Sequence, residues 1–326
     1  MPIMSYREAV RQALDEEMTR DDRVFLMGEE VAQYNGAYKV SQGLWEKYGD
    51  RRVIDTPITE AGFAGVGIGA AMAGLRPVIE FMTFNFSILA FDQIINNAAK
   101  MRYMSGGQFT MPIVFRGPNG PAEYLSSQHS QNTAAIYTHV PGLKVVSPAT
   151  PYDAKGLLKS AIRDDNSVIV LEGELMYNWK GDVPAEEYLV PIGKAEVKRS
   201  GRDVTVVTYG RGVKVAQDAA AGLEREEIDA EIVDLRTQRP VDEDTVLASV
   251  AKTNRCVFVD EAWPVCSVGS YVAWRISNEG FDLLDAPVEL VAMEDVPMPY
   301  NHRLELAVQP SPAKIIEAVK KVLYLT

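Results

Sequence analysis

Three groups of residues could do chemistry. The first is Glu60, a lone carboxylate presented by a turn after the apolar run 53–58. A stretch with little side-chain bulk follows, in which Gly65 and Gly69 lie four apart and so share one face of a helix. Each helical glycine costs about 1 kcal/mol against alanine. Close approach of another helix or a ligand would offset that cost; an ordinary Glu ahead of a tightly packed core helix is the plainer reading. The second group is the aromatic pair Phe84 and Phe86, just beyond the apolar run 78–82. They could stack on a flat heterocycle or fill the core. The third is the small polar loop Ser126-Ser127-Gln128-His129-Ser130-Gln131. A His in such a setting suits a general acid or base, or an anion ligand; the alternative is a solvated loop. His139 and His302 are assigned no chemistry.

Other chemistries are poorly supported. Gly65-Val66-Gly67-Ile68-Gly69-Ala70 has the G-x-G-x-x-A form of a dinucleotide fingerprint, with Glu80 following. That fingerprint needs its glycines in the turn directly after the strand, where phosphate meets the helix N-terminus. Here Gly65 comes seven residues after Ile58, inside the helix. The chain has no G-x-S-x-G elbow, no Walker phosphate loop and no GDG followed by NN.

These groups need a frame to hold them. Tyr6, Val10, Leu14 and Met18 recur every four residues, which predicts an amphipathic first helix. Short apolar runs at 24–28, 53–58, 78–82, 113–117, 145–148 and 168–172 predict strands buried on both faces. Helices are predicted between them at 61–74, 86–104, 132–139 and 152–164. Such alternation predicts an open, mostly parallel α/β sheet, whose sites lie at the carboxyl ends of its strands. A second α/β unit follows, with strands at 204–209, 231–235, 256–259 and 288–291 and helices at 213–225, 244–252, 268–278 and from Ala313 onward. The expected division is a first domain over 1–186, a linker over 187–200 and a second domain over 201–326.

At 326 residues, two domains fit the length. A net charge of −12 argues against nucleic acid and anionic membranes as partners. Two cysteines form no disulfide framework and suit a reducing compartment. No uninterrupted apolar run reaches membrane-spanning length. The N-terminal residues resemble neither a signal nor a transit peptide. The expected location is the cytoplasm, or the mitochondrial matrix if a transit peptide has been removed.

Several motifs in order are recognisable together: residues 55–60, Glu60 with Gly65 and Gly69, 80–86, 116–120, 127–131, 141–148 and 295–300. Over essentially the whole chain they resemble the beta chains of heterodimeric thiamine diphosphate-dependent 2-oxo acid dehydrogenases. The resemblance implies a pyrimidine-type cofactor domain followed by a transketolase C-terminal-like domain. It implies that Glu60 contacts ring nitrogen N1′, that Ile58, Met82 and Phe86 line the aminopyrimidine, and that His129 reaches the reacting end. An alpha chain would hold the diphosphate and Mg2+, in a tetramer of two alpha and two beta chains. Potassium would bind at Ile113, Ala161, Ile162, Asp164 and Asn166, through backbone oxygens. A lipoyl-bearing dihydrolipoamide acyltransferase core would dock near Asp285 and the terminal carboxylate of Thr326. Pyruvate is the expected substrate. The alternatives are branched-chain 2-oxo acids or acetoin, and a docking subunit without catalysis.

Overall fold

A computed structural model describes residues 2–325. The chain forms two compact units: residues up to Asn119 with Ile136–Ile192, and Gly120–Ala135 with the residues from Gly193 onward.

In the first unit the parallel strands run in the order Lys144–Val146, Val168–Gly173, Val114–Asn119, Arg76–Glu80, Val24–Gly28, Val53–Asp55. The strands Val24–Gly28 and Val114–Asn119 are buried throughout, as continuous apolar runs require of a sheet covered on both sides. Helix Tyr6–Arg20 starts at a capping box in which the Ser5 side chain accepts from the Glu8 amide and the Glu8 carboxylate accepts from the Ser5 amide. Its buried stripe includes Tyr6, Val10, Leu14 and Met18, the predicted positions. Glu17 in that stripe is fully buried and accepts from Arg163 of helix Pro151–Arg163 at 2.7–3.0 Å.

Helix Glu60–Met72 packs on strand Arg76–Glu80 and on the 3-10 turn Phe84–Ala90. The glycine that fits it to the sheet is Gly67. A Cβ there would lie 2.6 Å from Ile79 Cδ1. A Cβ on Gly65 would make only ordinary contact with Gln93, and one on Gly69 would meet nothing. Val66, on the same helix, is 62% exposed.

The single helix expected at 86–104 is three pieces: the 3-10 turn Phe84–Ala90, the π-helix Gln93–Ala98 and the short helix Met101–Met104. A side chain competes with the main-chain ladder here. The Ser87 hydroxyl donates to the Phe84 carbonyl at 2.6 Å.

In the second unit the strand order is Glu289–Val291, Cys256–Val259, Val204–Thr208, Ala230–Asp234, Glu196–Arg199. The first four are parallel and the last antiparallel. Glu196–Arg199 therefore belongs to this sheet, although the sequence reading placed it in a linker. Residues 120–135, expected in the first domain, cluster with the second unit. Helix Pro312–Val322 packs against helix Gly212–Glu224 and buries Ile315, Ala318, Val319 and Val322. Among the described residues no helix is long and apolar enough to cross a membrane.

Candidate active site

Glu60 is the first residue of its helix and only 4% exposed. It stands just beyond the carboxyl end of strand Val53–Asp55, where sites in open parallel sheets lie. The strand register pairs Gly28 with Asp55, so the chain leaving strand Val24–Gly28 emerges beside it. The Asp55 carboxylate accepts from the amides of Ala32 at 2.7 Å and Gln33 at 3.2 Å, which pins that loop over the strand ends. The result is a second carboxyl, Glu29, 5% exposed and hydrogen-bonded to Glu60. Burial, and then the charge of Glu60, push the Glu29 carboxyl up to about 7. Two adjacent carboxyls out of water resist ionising together, and Glu29 is the one raised. Glu29 Oε1 is buried with no hydrogen-bond partner among the described residues. Sequence reasoning missed Glu29. Its available signal was an acid directly after a wholly apolar strand.

The apolar positions differ from one another. Met82 and Phe86 are half-buried, and Ile58 is 84% exposed. Phe84 is not available to stack on a ligand. It is fully buried, edge-on to Phe81 at 5.5 Å and to Tyr137 at 5.4 Å. Glu80 is also withdrawn into the interior. The buried Arg116 guanidinium pairs with Glu80 and donates to both Glu172 oxygens, at 2.6 and 2.5 Å. The Tyr177 hydroxyl donates to Glu172 at 2.8 Å. This triad ties three neighbouring strands together beneath the site. Glu80 is therefore engaged internally, and Gly65, Gly67 and Gly69 all lie within the helix, so neither part of the dinucleotide fingerprint has its required setting.

His129 ends the 3-10 turn Ser127–His129 and is half-buried. Its loop closes at the base through the Gly120 amide, which donates to the Gln131 carbonyl at 3.0 Å. The Ser127 hydroxyl donates to the Met298 carbonyl at 3.0 Å, and the Tyr124 amide to the Glu305 carboxylate at 3.2 Å. A cleft of about 390 Å³ lies beside the loop, lined by Ser127, Gln128, Gln131, Trp263 and the segment 295–297. Glu60, Ile58, Met82 and Phe86 belong to the first unit, and His129 to the second.

Four of the five carbonyls expected to hold potassium already have donors. Arg76 Nη1 donates to those of Ile162 at 3.0 Å and Asp164 at 3.1 Å. The Ala161 carbonyl accepts from the Asp164 amide at 3.3 Å, and that of Ile113 from the Val168 amide at 3.0 Å. Asn166 donates to the Asp164 carboxylate through both its amide and its side chain. Asp285 is 58% exposed at its side chain and lies 3.3 Å from Arg255, while Tyr324 donates to its carbonyl. Thr326 lies outside the described residues.

Two domain families match the chain: the transketolase pyrimidine binding domain over residues 3–180 and the transketolase C-terminal domain over residues 193–315. The solved structure titled split gene transketolase, inactive beta4 tetramer, has the same fold, with a TM-score of 0.81 and 24% identity over 99% of both chains. These define a transketolase-type chain of two α/β domains. Among curated proteins, the pyruvate dehydrogenase E1 component subunit beta of Rickettsia felis is 57% identical over 98% of this chain and 98% of that protein. That of Rhizobium meliloti is 57% identical over 99% of this chain and 71% of its own length. The human mitochondrial protein of that name is 55% identical over 98% and 90%. The chain belongs to this family of pyruvate dehydrogenase E1 beta subunits.

Proposed function

We propose that this chain is the beta subunit of a thiamine diphosphate-dependent pyruvate dehydrogenase. With an alpha chain it decarboxylates pyruvate and transfers the acetyl group to the lipoyl group of a dihydrolipoamide acyltransferase. The lipoyl disulfide is reduced as the acyl carbon is oxidised. The observation that carries the reading is the buried Glu29–Glu60 pair at the carboxyl ends of parallel strands, in a chain 55–57% identical to proteins of that name.

The residues suit the aminopyrimidine half of the cofactor. A buried carboxyl pair that keeps a proton near neutrality matches a ring nitrogen that must gain and lose one. The unpartnered Glu29 oxygen leaves the pair polar capacity to spare. Glu60 would hold N1′, with Ile58, Met82 and Phe86 against the ring. When bound, thiamine diphosphate supplies a thiazolium carbon that attacks the ketone and a ring that takes up the electrons released by decarboxylation. Glu60 would exchange a proton with N1′. Glu29, raised to about 7 chiefly by burial, hydrogen-bonds Glu60 and would store that proton. His129 acts as general acid–base at the substrate end. The bare outer face of helix Glu60–Met72, with exposed Val66 and open Gly69, suits a packed helix of the alpha chain.

Mg2+ and the diphosphate belong to the alpha chain in this reading, since no GDG followed by NN occurs here. A structural potassium ion would use the second lone pairs of the carbonyls of Ile113, Ala161, Ile162, Asp164 and Asn166. The Arg76 charge opposes it. The acyltransferase docks at the second unit around Asp285. The enzyme works in the cytoplasm, or in the mitochondrial matrix where a transit peptide has been removed.

The test is co-purification with the alpha chain and assay on pyruvate, branched-chain 2-oxo acids and acetoin. Pyruvate is expected to give the highest kcat/KM. Preference for another acid overturns the substrate assignment, and no turnover with any overturns catalysis.

A further inference from the structure

The loop that carries His129 is held by a buried clasp in the second unit, and the clasp uses residues with no assigned role. Its centre is Glu305, in helix His302–Val308, with a side chain 2% exposed. One carboxylate oxygen accepts from the Tyr124 amide at 3.2 Å. The His302 ring lies tilted against Tyr124, with centroids 4.8 Å apart and planes 30° apart, and its Nδ1 lies 3.5 Å from the same Glu305 oxygen. Three residues beyond Tyr124, the Ser127 hydroxyl reaches the carbonyl of buried Met298. At the far end of the loop, Asn132 hydrogen-bonds Tyr209, whose hydroxyl donates to buried Asp260 at 2.5 Å.

Between these anchors the backbone is strained. Tyr124 and Ser126 hold φ values of 67° and 66°, which non-glycine residues rarely adopt. Such conformations persist only where surrounding contacts over-determine them. His129 lies three residues past Ser126, and its amide donates to the Ser126 carbonyl at 3.4 Å. A change in the Tyr124–Ser126 conformation therefore moves the imidazole directly.

We propose that Glu305 is a positioning residue: through the Tyr124 amide it sets the loop conformation that aims His129 at the reacting group. The proposal rests on the catalytic reading of His129 given above. It also gives the segment from Met298 to Glu305 a task in catalysis, although that segment lies in the domain remote from Glu60 in the sequence.

A double-mutant cycle in the assembled alpha–beta tetramer tests it. Misplacing a catalytic group by about 1 Å can cost up to about 10²-fold in rate. Glu305→Ala is expected to lower kcat by about tenfold to a hundredfold while KM for pyruvate changes by less than about threefold. Glu305→Gln keeps an acceptor for the Tyr124 amide and should retain kcat within about threefold of wild type. In a His129→Ala background, Glu305→Ala should cause no further loss, because both changes disable one group. If Glu305→Ala costs the same factor in both backgrounds while His129→Ala alone is impaired, Glu305 acts elsewhere and the proposal falls. If His129→Ala alone turns over normally, the catalytic reading of His129 falls and takes the positioning role with it. Should Glu305→Ala not assemble, Ser127→Ala, which releases the loop from Met298, enters the same cycle with the same expected non-additivity.

Discussion

Glu29→Gln removes the second carboxyl of the pair while keeping its size and a hydrogen-bonding group for Glu60. The Glu29 carboxyl is raised from its ordinary 4.5 to about 7 by burial and by Glu60. That rise corresponds to a preference for the neutral form of about 3 kcal/mol, an upper bound because water screens part of it. The sign follows from linkage. Below pH 4.5 both folded and unfolded states carry the proton, and Glu29 costs nothing. Between 4.5 and about 7 the unfolded chain releases it first, so stability is lost as pH rises; above about 7 the full penalty applies. Thermal midpoints of assembled, cofactor-free tetramer should thus coincide for wild type and Glu29→Gln near pH 4.5. The variant should gain on wild type as pH rises to about 8. The infrared spectrum of wild type minus that of Glu29→Gln should show a protonated-carboxyl band that titrates near 7; Glu174, which burial also raises to about 7, contributes to both and cancels. A pH-independent gap between the two, or a difference spectrum without that band, would refute a proton held by Glu29.

Further outcomes follow from particular contacts. Arg116→Met strands the buried carboxylates of Glu80 and Glu172 and should cost about 3–5 kcal/mol, read as a lower thermal midpoint or loss of soluble protein; an unchanged midpoint contradicts it. Asp285→Ala should slow association with the acyltransferase core and reduce its salt dependence, with decarboxylation in the presence of an artificial electron acceptor unchanged. Identical association kinetics would remove Asp285 from the docking site. The thermal midpoint should be higher in potassium than in lithium at equal ionic strength, and Arg76→Met should widen that difference by freeing two carbonyls. Equal midpoints in both salts would remove the ion.

The central strands Val24–Gly28, Val204–Thr208 and Cys256–Val259 were legible because each is buried on both faces, and that demand is written locally as a run rich in Val, Leu and Phe. Glu60 stood out for a similar reason, since the bare helix after it is a local feature. Features made by distant pairing were not legible. Glu29 meets Glu60 only because Gly28 and Asp55 share a register and Asp55 ties down the following loop. The small sheet of Ile3–Ser5 with Lys180–Asp182 joins the two ends of the first unit. The loop at 120–135 looks like part of the first domain from its neighbours along the chain. Its partners, Met298 and Glu305, lie about 170 residues further on. In the broken helix at 84–104 the Ser87 side chain competes for a backbone carbonyl, which apolar periodicity does not register.

Whether Glu60 moves the proton at N1′ is tested most directly by hydrogen–deuterium exchange at the reactive thiazolium carbon. The sample is thiamine diphosphate bound to the assembled tetramer, quenched in acid and compared between wild type and Glu60→Gln. Gln fills the same space and can still hydrogen-bond N1′, but it cannot exchange a proton with it. The exchange rate should fall by about 10²–10⁴-fold, the usual worth of a general acid–base, while cofactor affinity changes by less than about tenfold. Exchange as fast as in wild type would contradict the role assigned to Glu60 and leave it an incidental carboxyl ahead of a packed helix.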